Sequence, residues 1–438
     1  MRYFEKGFGF ALLALSAVLL FVLTQAASGN RDHSHGPPAA SYETQISQRS
    51  QAMLEEGRRA FRYDTFGDEA YWGDTLQLHK AIETVSPRTA LAVGLKVDVD
   101  ALPQPLINQL RAGRVDLDDP AVTLALLKLN AVVGVTGYPG RNGGLRSIGI
   151  QCAFCHSTVD DALAPGIGHR LDGWANRDLD VGAIVALAPN LQPIADLLLV
   201  DVETVKRVLT SWGPGRFDAE LDKDGKAFRP DGGQAGTLIP PAFGLAGVNL
   251  HTWTGFGSVP YWNAYVAATE MHGSGTYFDE RLSDASQYPV AARTGSWNTR
   301  GEPDLITRKL PALHVYQLAL PAPKPPSDSF DARAAGRGKE VFADRCSSCH
   351  VPPLFTEPGH NLHSPVEMGI DAFQADRSPT HAYRTAPLAG LWTHQKGGFY
   401  HDGRYATLDA VIDHYESVFG FTLSDQQQGD LKQYLLSL

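Results

Sequence analysis

From Gln48 onward, small and apolar residues recur at helical spacing: Met53, Leu54, Gly57, Ala60 and Phe61. That period predicts a helix. Asp119-Pro120 predicts the start of a second, with Asp as cap and Pro at the first helical position, and Leu124, Leu127 and Leu129 follow. Residues 193–212 carry Ile194, Leu197, Leu198, Val205, Val208 and Leu209 and predict a third. Gly- and Pro-rich stretches separate these segments, and no series of alternating strands appears. Near the C-terminus, Gly338, Val341 and Phe342 share one face just before Cys346. Ser424 and Gln427 then form a capping box ahead of an apolar stripe of Leu431, Tyr434, Leu435 and Leu438. The pattern as a whole predicts a mainly α protein.

The same pattern suggests boundaries. Arg2 and Lys6 precede an apolar run over residues 8–23, and Ala26 and Ala27 follow it. This is the charged, apolar, small-residue order of an export signal over 1–26, with an uncleaved membrane anchor as the alternative. Residues 27–47 are polar and form a flexible lead-in, in which His33 and His35 belong to a solvated tail. The stretch LPAPKPPSDS, 320–329, is dense in proline and reads as a stiff linker. It divides an N-terminal domain, 48–319, from a smaller helical domain, 330–438.

Composition narrows the classes further. A chain of 438 residues with 43% hydrophobic and 20% charged residues has room for a core that holds a cofactor. The formal charge of −10 is spread along the chain, which argues against nucleic acid as a partner and leaves room for a basic protein.

The four cysteines carry the chemistry. Cys152, Cys155 and His156 form Cys-x-x-Cys-His, and Cys346, Cys349 and His350 repeat it. Zinc needs further ligand pairs close by. A thioredoxin-type redox pair needs a βαβ setting, and one copy suffices. Covalent haem requires two thiols one helical turn apart, for thioether bonds to the vinyl groups, and a histidine directly after them to reach the iron. Two haem c groups are therefore expected, with His156 and His350 as proximal ligands. Attachment of such haems outside the cytoplasm agrees with export to the periplasm.

Other motifs carry a resemblance. GKEVFADRCSSCHVPPLF resembles the opening of a bacterial cytochrome c domain. YRTAPLAGLW and FYHDGRYATLDAVIDHY are similar to the closing motifs of di-haem cytochrome c peroxidases and of the related di-haem enzyme that matures a tryptophylquinone cofactor. GRRAFRYDTFGDEAYWGD, DGWANRDLDVGA and the long separation of the haem motifs resemble the di-haem rubber oxygenases of the same superfamily. The resemblance implies two c-type cytochrome domains, the N-terminal one enlarged by loop-rich insertions. It also implies peroxide or dioxygen chemistry at the haem of His156, with the haem of His350 storing or relaying an electron. A redox partner protein, such as a small cytochrome, and a small-molecule oxidant would be the partners. A membrane would take part only through an uncleaved N-terminus. The rival reading is an electron-transfer cytochrome with both irons six-coordinate.

The sixth ligand at His350 has three candidates. Tyr415 stands where the resemblance places a methionine or tyrosine, and Leu408, Val411, Ile412, Tyr415 and Phe419 predict one inward helical face. His401 of the HDG motif and Met368 are the alternatives, while His414 is expected in solvent. Over the first haem, Trp262 is a candidate electron relay, Tyr277 and Phe278 are candidate pocket residues, and His272 or Met271 are candidate ligands. Ordinary core packing competes with each. Glu220, Asp222, Asp224, Gly225 and Asp231 are spaced like a calcium loop, although their flanks favour a solvated acidic turn. Thr385 and Pro387 are a second candidate calcium position, one implied by the resemblance.

Overall fold

The computed structural model describes residues 41–438, except 142 and 395. The export signal, His33 and His35 lie outside the described residues. The fold is mainly α, with 43% helix and 10% strand. Among the described residues every sheet is a two-stranded pairing. No helix among them is long and apolar enough to cross a membrane.

Helix boundaries depart from the apolar pattern in two informative places. The first helix is Tyr42–Tyr63, so 41–47 is not part of a flexible lead-in. Its cap is Ser41, whose hydroxyl accepts from the Thr44 backbone N–H at 3.2 Å. Residues 41–50 are all exposed, so no apolar period marked this turn. The helix expected over 193–212 is in fact two, Gln192–Leu198 and Val202–Trp212. Leu199 takes a left-handed conformation, φ 56°, and the Asp201 carboxylate caps the second helix through Thr204 N–H. Asp is a strong cap, and its competition with the backbone broke the segment that hydrophobic period alone would have continued. The helix starting at Pro120 matches its prediction, with Asp119 Oδ1 accepting from Ala121 N–H, and it ends at Lys128.

Residues 50–438 cluster as one compact unit. Its apolar interior is divided. One core gathers Leu78, Leu126, Ile148, Phe154, Ile184 and Trp212. A second gathers Phe61, Ala153, Trp262, Tyr265, Met271 and Tyr277. A third is drawn wholly from the chain after the Pro-rich stretch: Phe342, Leu391, Phe399, Ile412, Leu431 and Leu435. That third core is closed by Ala332–Arg345 crossing Asp425–Leu436. At the crossing, a Cβ on Gly338 would stand 1.9 Å from the Asp430 carbonyl, so only glycine admits this approach. The expected capping box of Ser424 and Gln427 is present.

Candidate haem centres

Each Cys-x-x-Cys-His sits on a tight turn. In the first, Ala153–His156 is one helical turn, entered from the strand Leu145–Ile150, which pairs antiparallel with Val135–Pro139. The turn packs against Gly134, φ 79°, where a Cβ would stand 2.1 Å from Phe154 Cα. In the second, the helix Ala332–Arg345 runs directly into Cys346, and His350 N–H donates to the Cys346 carbonyl at 2.9 Å. All four cysteines are free of disulfides. Burial pushes the Cys152 and Cys155 thiols up to about 12 and that of Cys346 up to about 11.

The two histidines share one arrangement. His156 Nδ1 lies 3.1 Å from the Pro240 carbonyl, and His350 Nδ1 lies 3.0 Å from the Phe355 carbonyl. A carbonyl only accepts, so Nδ1 carries the proton in both rings and Nε2 keeps its lone pair. This hydrogen bond orients a metal-ligating imidazole. Burial moves His156 down to about 4 and His350 in the same direction, which keeps both rings neutral.

Unpaired guanidinium groups give a further test of whether these sites suit haem. Arg177 is buried, with Nε and Nη1 lacking partners, and burial, with Arg216 nearby, moves it down to about 10. Its segment is pinned to the first motif, because Gly173 N–H donates to the His156 carbonyl and Asn176 N–H to that of Cys155. Arg384 Nη1 is likewise unpaired, and burial moves Arg384 down to about 10. It lies two residues from Ala386, whose backbone adjoins His350. A buried cation needs a counter-charge. The two propionates of a haem are such counter-charges, so the donor set and its surroundings fit.

Among the C-terminal candidates the structure separates three environments. Tyr415 lies in electrostatic contact with Cys346 and Cys349, and burial pushes its phenol up to about 12. The buried hydroxyl of Tyr400 adjoins it and makes no hydrogen bond of good geometry. His401 is 3% exposed and stacks on Tyr383, and its Nε2 is 3.9 Å from the Asp402 carboxylate. Burial moves it down to about 4, and its charged surroundings are Asp402, Arg404, Asp371 and Arg229 rather than the tethers. Met368 lies in a turn, half-buried, with its carbonyl 2.9 Å from His414 Nε2. His414 is therefore not solvated, since Nδ1 also meets the Tyr405 hydroxyl at 2.8 Å. Phe419 is exposed and leaves the inward face early.

On the N-terminal side, Trp262 and Tyr277 are buried in the second core. The Trp262 ring meets Phe256 at 4.6 Å and Tyr265 at 5.1 Å, and the Tyr277 hydroxyl is 2.8 Å from that of Tyr261. Phe278 lines no buried pocket; it is 52% exposed. It follows Tyr277 on the strand Thr276–Phe278, and adjacent strand residues face opposite sides. His272 stacks on Tyr71 at 3.6 Å between ring centres, and the buried Met271 accepts Trp72 Nε1–H on its carbonyl.

Of the five calcium-like positions only Gly225 and Asp231 are exposed, and the five do not converge on one point. Glu220 and Asp224 are buried, Asp224 is paired with Arg377, and Asp222 with Lys223. The Thr385 carbonyl accepts from the Thr356 hydroxyl. Two groups of metal-type ligands do converge among the described residues: Cys349, Glu357 and His363, and Asp371, His401 and Asp402. The first contains Cys349 of the second Cys-x-x-Cys-His motif. In the second, Arg229 and Arg404 already neutralise both carboxylates.

The sequence reading gave no role to Trp174, Trp392, Arg177 or Arg384. Trp174, on the segment pinned to the first motif, meets Trp392 edge to face at 5.6 Å. Trp392 also donates its Nε1–H to Pro323 of the Pro-rich stretch. Both tryptophans lie within quoted motifs, but no local pattern shows that two residues so distant in sequence touch.

No protein-family model matches the chain. The chain is 27% identical over 228 residues to methylamine utilization protein MauG of Methylorubrum extorquens, a match spanning 45% of this chain and 63% of that protein. The match therefore spans less than two thirds of that relative's length. A hydrazine synthase from Kuenenia stuttgartiensis aligns over 47% of this chain and 73% of its own, at 19% identity and TM-score 0.26, too low to support an inference. The similarity to MauG bears out the chain's resemblance to the di-haem cytochrome c peroxidase-like superfamily.

Proposed function

We propose that this chain is an exported di-haem c-type oxidoreductase. Peroxide or dioxygen would react at the haem held by Cys152, Cys155 and His156. The haem held by Cys346, Cys349 and His350 would store or supply an electron, drawn from a partner such as a small cytochrome. The observation that carries this reading is the duplicated histidine geometry, in which Nδ1 is tied to a backbone carbonyl and Nε2 is left for iron. Haem bound there supplies a redox-active iron able to bind small oxidants.

The chain's own residues have distinct parts in this scheme. The Pro240 and Phe355 carbonyls fix ring orientation and tautomer. Arg177 and Arg384 would hold carboxylates of the cofactors. Tyr415, in electrostatic reach of Cys346 and Cys349, is the residue we assign as a further one that would hold the C-terminal iron. Trp174 and Trp392 are the relay between the two halves. One observation favours the rival electron-transfer reading. Met271 is buried in the same core as Ala153 of the first motif, so its thioether is the candidate second ligand there.

Absorption and electron paramagnetic resonance spectra of the purified holoprotein decide between the two. The oxidoreductase requires a high-spin ferric component that titrates with one equivalent of peroxide. Two low-spin signals unchanged by peroxide would leave only the electron-transfer reading.

A further inference from the structure

The first core is not filled. Within it lies a cavity of about 50 Å³, bounded by Leu78, Leu126, Ile148, Phe154, Ile167 and Ile184 among others. No polar atom contributes to its wall. Native interiors are close-packed, and a void of this kind costs stability. Water gains nothing by entering, because it would give up hydrogen bonds and find no partner. On the same measure of volume a single water needs only about 10–15 Å³. The space is therefore ample for a small uncharged molecule that has no hydrogen bonds to lose.

Its position gives it a use. Phe154 is the second of the two residues between Cys152 and Cys155, and Cys155 packs against this same core. The wall grades outward from the buried Ile148, Phe154 and Ile167 to the half-buried Leu106, Leu110 and Val115. The apolar lining thus extends from half-buried residues inward to Phe154 of the first motif. We propose that this cavity is a binding site for a small apolar gas, with dioxygen as the physiological ligand, and that it feeds the neighbouring haem. The supply role rests on the function proposed above; the binding site does not.

Xenon is the probe, because it matches dioxygen in apolar character and scatters X-rays strongly. Crystals of the holoprotein under xenon pressure are expected to show xenon among Leu126, Ile148, Phe154 and Ile184. Leu126→Phe and, separately, Ile167→Phe fill the space from two sides and should exclude it. In stopped flow, either filled variant should slow dioxygen association with the reduced protein several-fold and leave the reaction with peroxide, a polar oxidant, unchanged. Absence of xenon from the wild-type cavity overturns the binding site, whether or not the variants fold. Xenon excluded with dioxygen association unchanged overturns the supply role. A wild-type protein inert to dioxygen overturns the supply role through failure of the functional reading, and xenon occupancy then still decides the binding site.

Discussion

Arg377 is wholly buried against Asp224, with Nε 2.7 Å from Oδ2 and Nη2 3.0 Å from Oδ1. Its Nη2 also lies 2.9 Å from Asp218, which is equally buried. One guanidinium beyond the Pro-rich stretch therefore neutralises two carboxylates that precede it. Removing one member of a buried charge group leaves the others uncompensated. Arg377→Met should cost about 3–5 kcal/mol in urea unfolding of the holoprotein at pH 8. A loss below about 1 kcal/mol would show that the carboxylates relax into water or take up protons at little cost.

The third core makes a separate expectation for the fragment 330–438. Phe342, Ile412, Leu431 and Leu435 all lie within it, so the apolar interior needs nothing from the rest of the chain. The fragment should fold with one haem and place Arg377 in water, where a lone guanidinium is harmless. Gly338→Ala should abolish that folding, because the methyl would overlap the Asp430 carbonyl. An insoluble fragment, produced under conditions in which the full chain matures, would show the interface with the first part to be essential.

Haem attachment is tested by counting. A pyridine haemochrome assay should give two haems per chain, retained through denaturing electrophoresis. Changing Cys152 and Cys155 to serine should remove one, and the same change at Cys346 and Cys349 the other. A haem-free wild-type chain that holds zinc would end the whole reading.

Tyr415→Phe keeps the ring and deletes the oxygen beside the second pair of tethers. A phenolate donates charge and stabilises ferric iron, whereas a thioether favours ferrous. The low-spin spectrum should change and the midpoint potential of the C-terminal haem should rise, with stability altered by less than about 1 kcal/mol. Met368→Leu and His401→Ala are the comparisons. If His401→Ala alone removes the low-spin signal, the ligand is the histidine.

Glu220 gives a pH signature unrelated to haem ligation. Burial raises its carboxyl from 4.5 to about 7, against the opposing pull of Arg377. A raised acid binds more protons folded than unfolded, so its contribution is complete below about pH 4.5 and is lost as pH rises through about 7. The integrated effect is about 3 kcal/mol. Buried neutral histidines such as His251 and His394 act in the opposite sense, losing stability as pH falls below 6.5. The readout is therefore the difference between wild type and Glu220→Gln. The variant should gain on the wild type between pH 5 and pH 8 in urea midpoints, and parallel profiles would show that Glu220 is ionised throughout.

The sequence by itself determined the cofactor chemistry and much of the C-terminal architecture. Cys-x-x-Cys-His is a local constraint: one helical turn sets the thiol spacing and puts a histidine directly after it. The cap at Asp119, the capping box at Ser424 and the stripe ending at Leu438 are local in the same sense, and all three appear in the structure. Tertiary structure decided what depends on meeting across the chain. It paired Trp174 with Trp392, left Arg177 and Arg384 without counter-charges, tied Arg377 to Asp224 and turned Phe278 outward. It also put Tyr415 within electrostatic reach of Cys346 and Cys349, and His401 among Asp402, Arg404, Asp371 and Arg229. Periodicity gives the face of a helix but not what that face meets. A carboxylate reads the same in sequence whether water or a guanidinium surrounds it, so burial and partner are set only when distant segments pack.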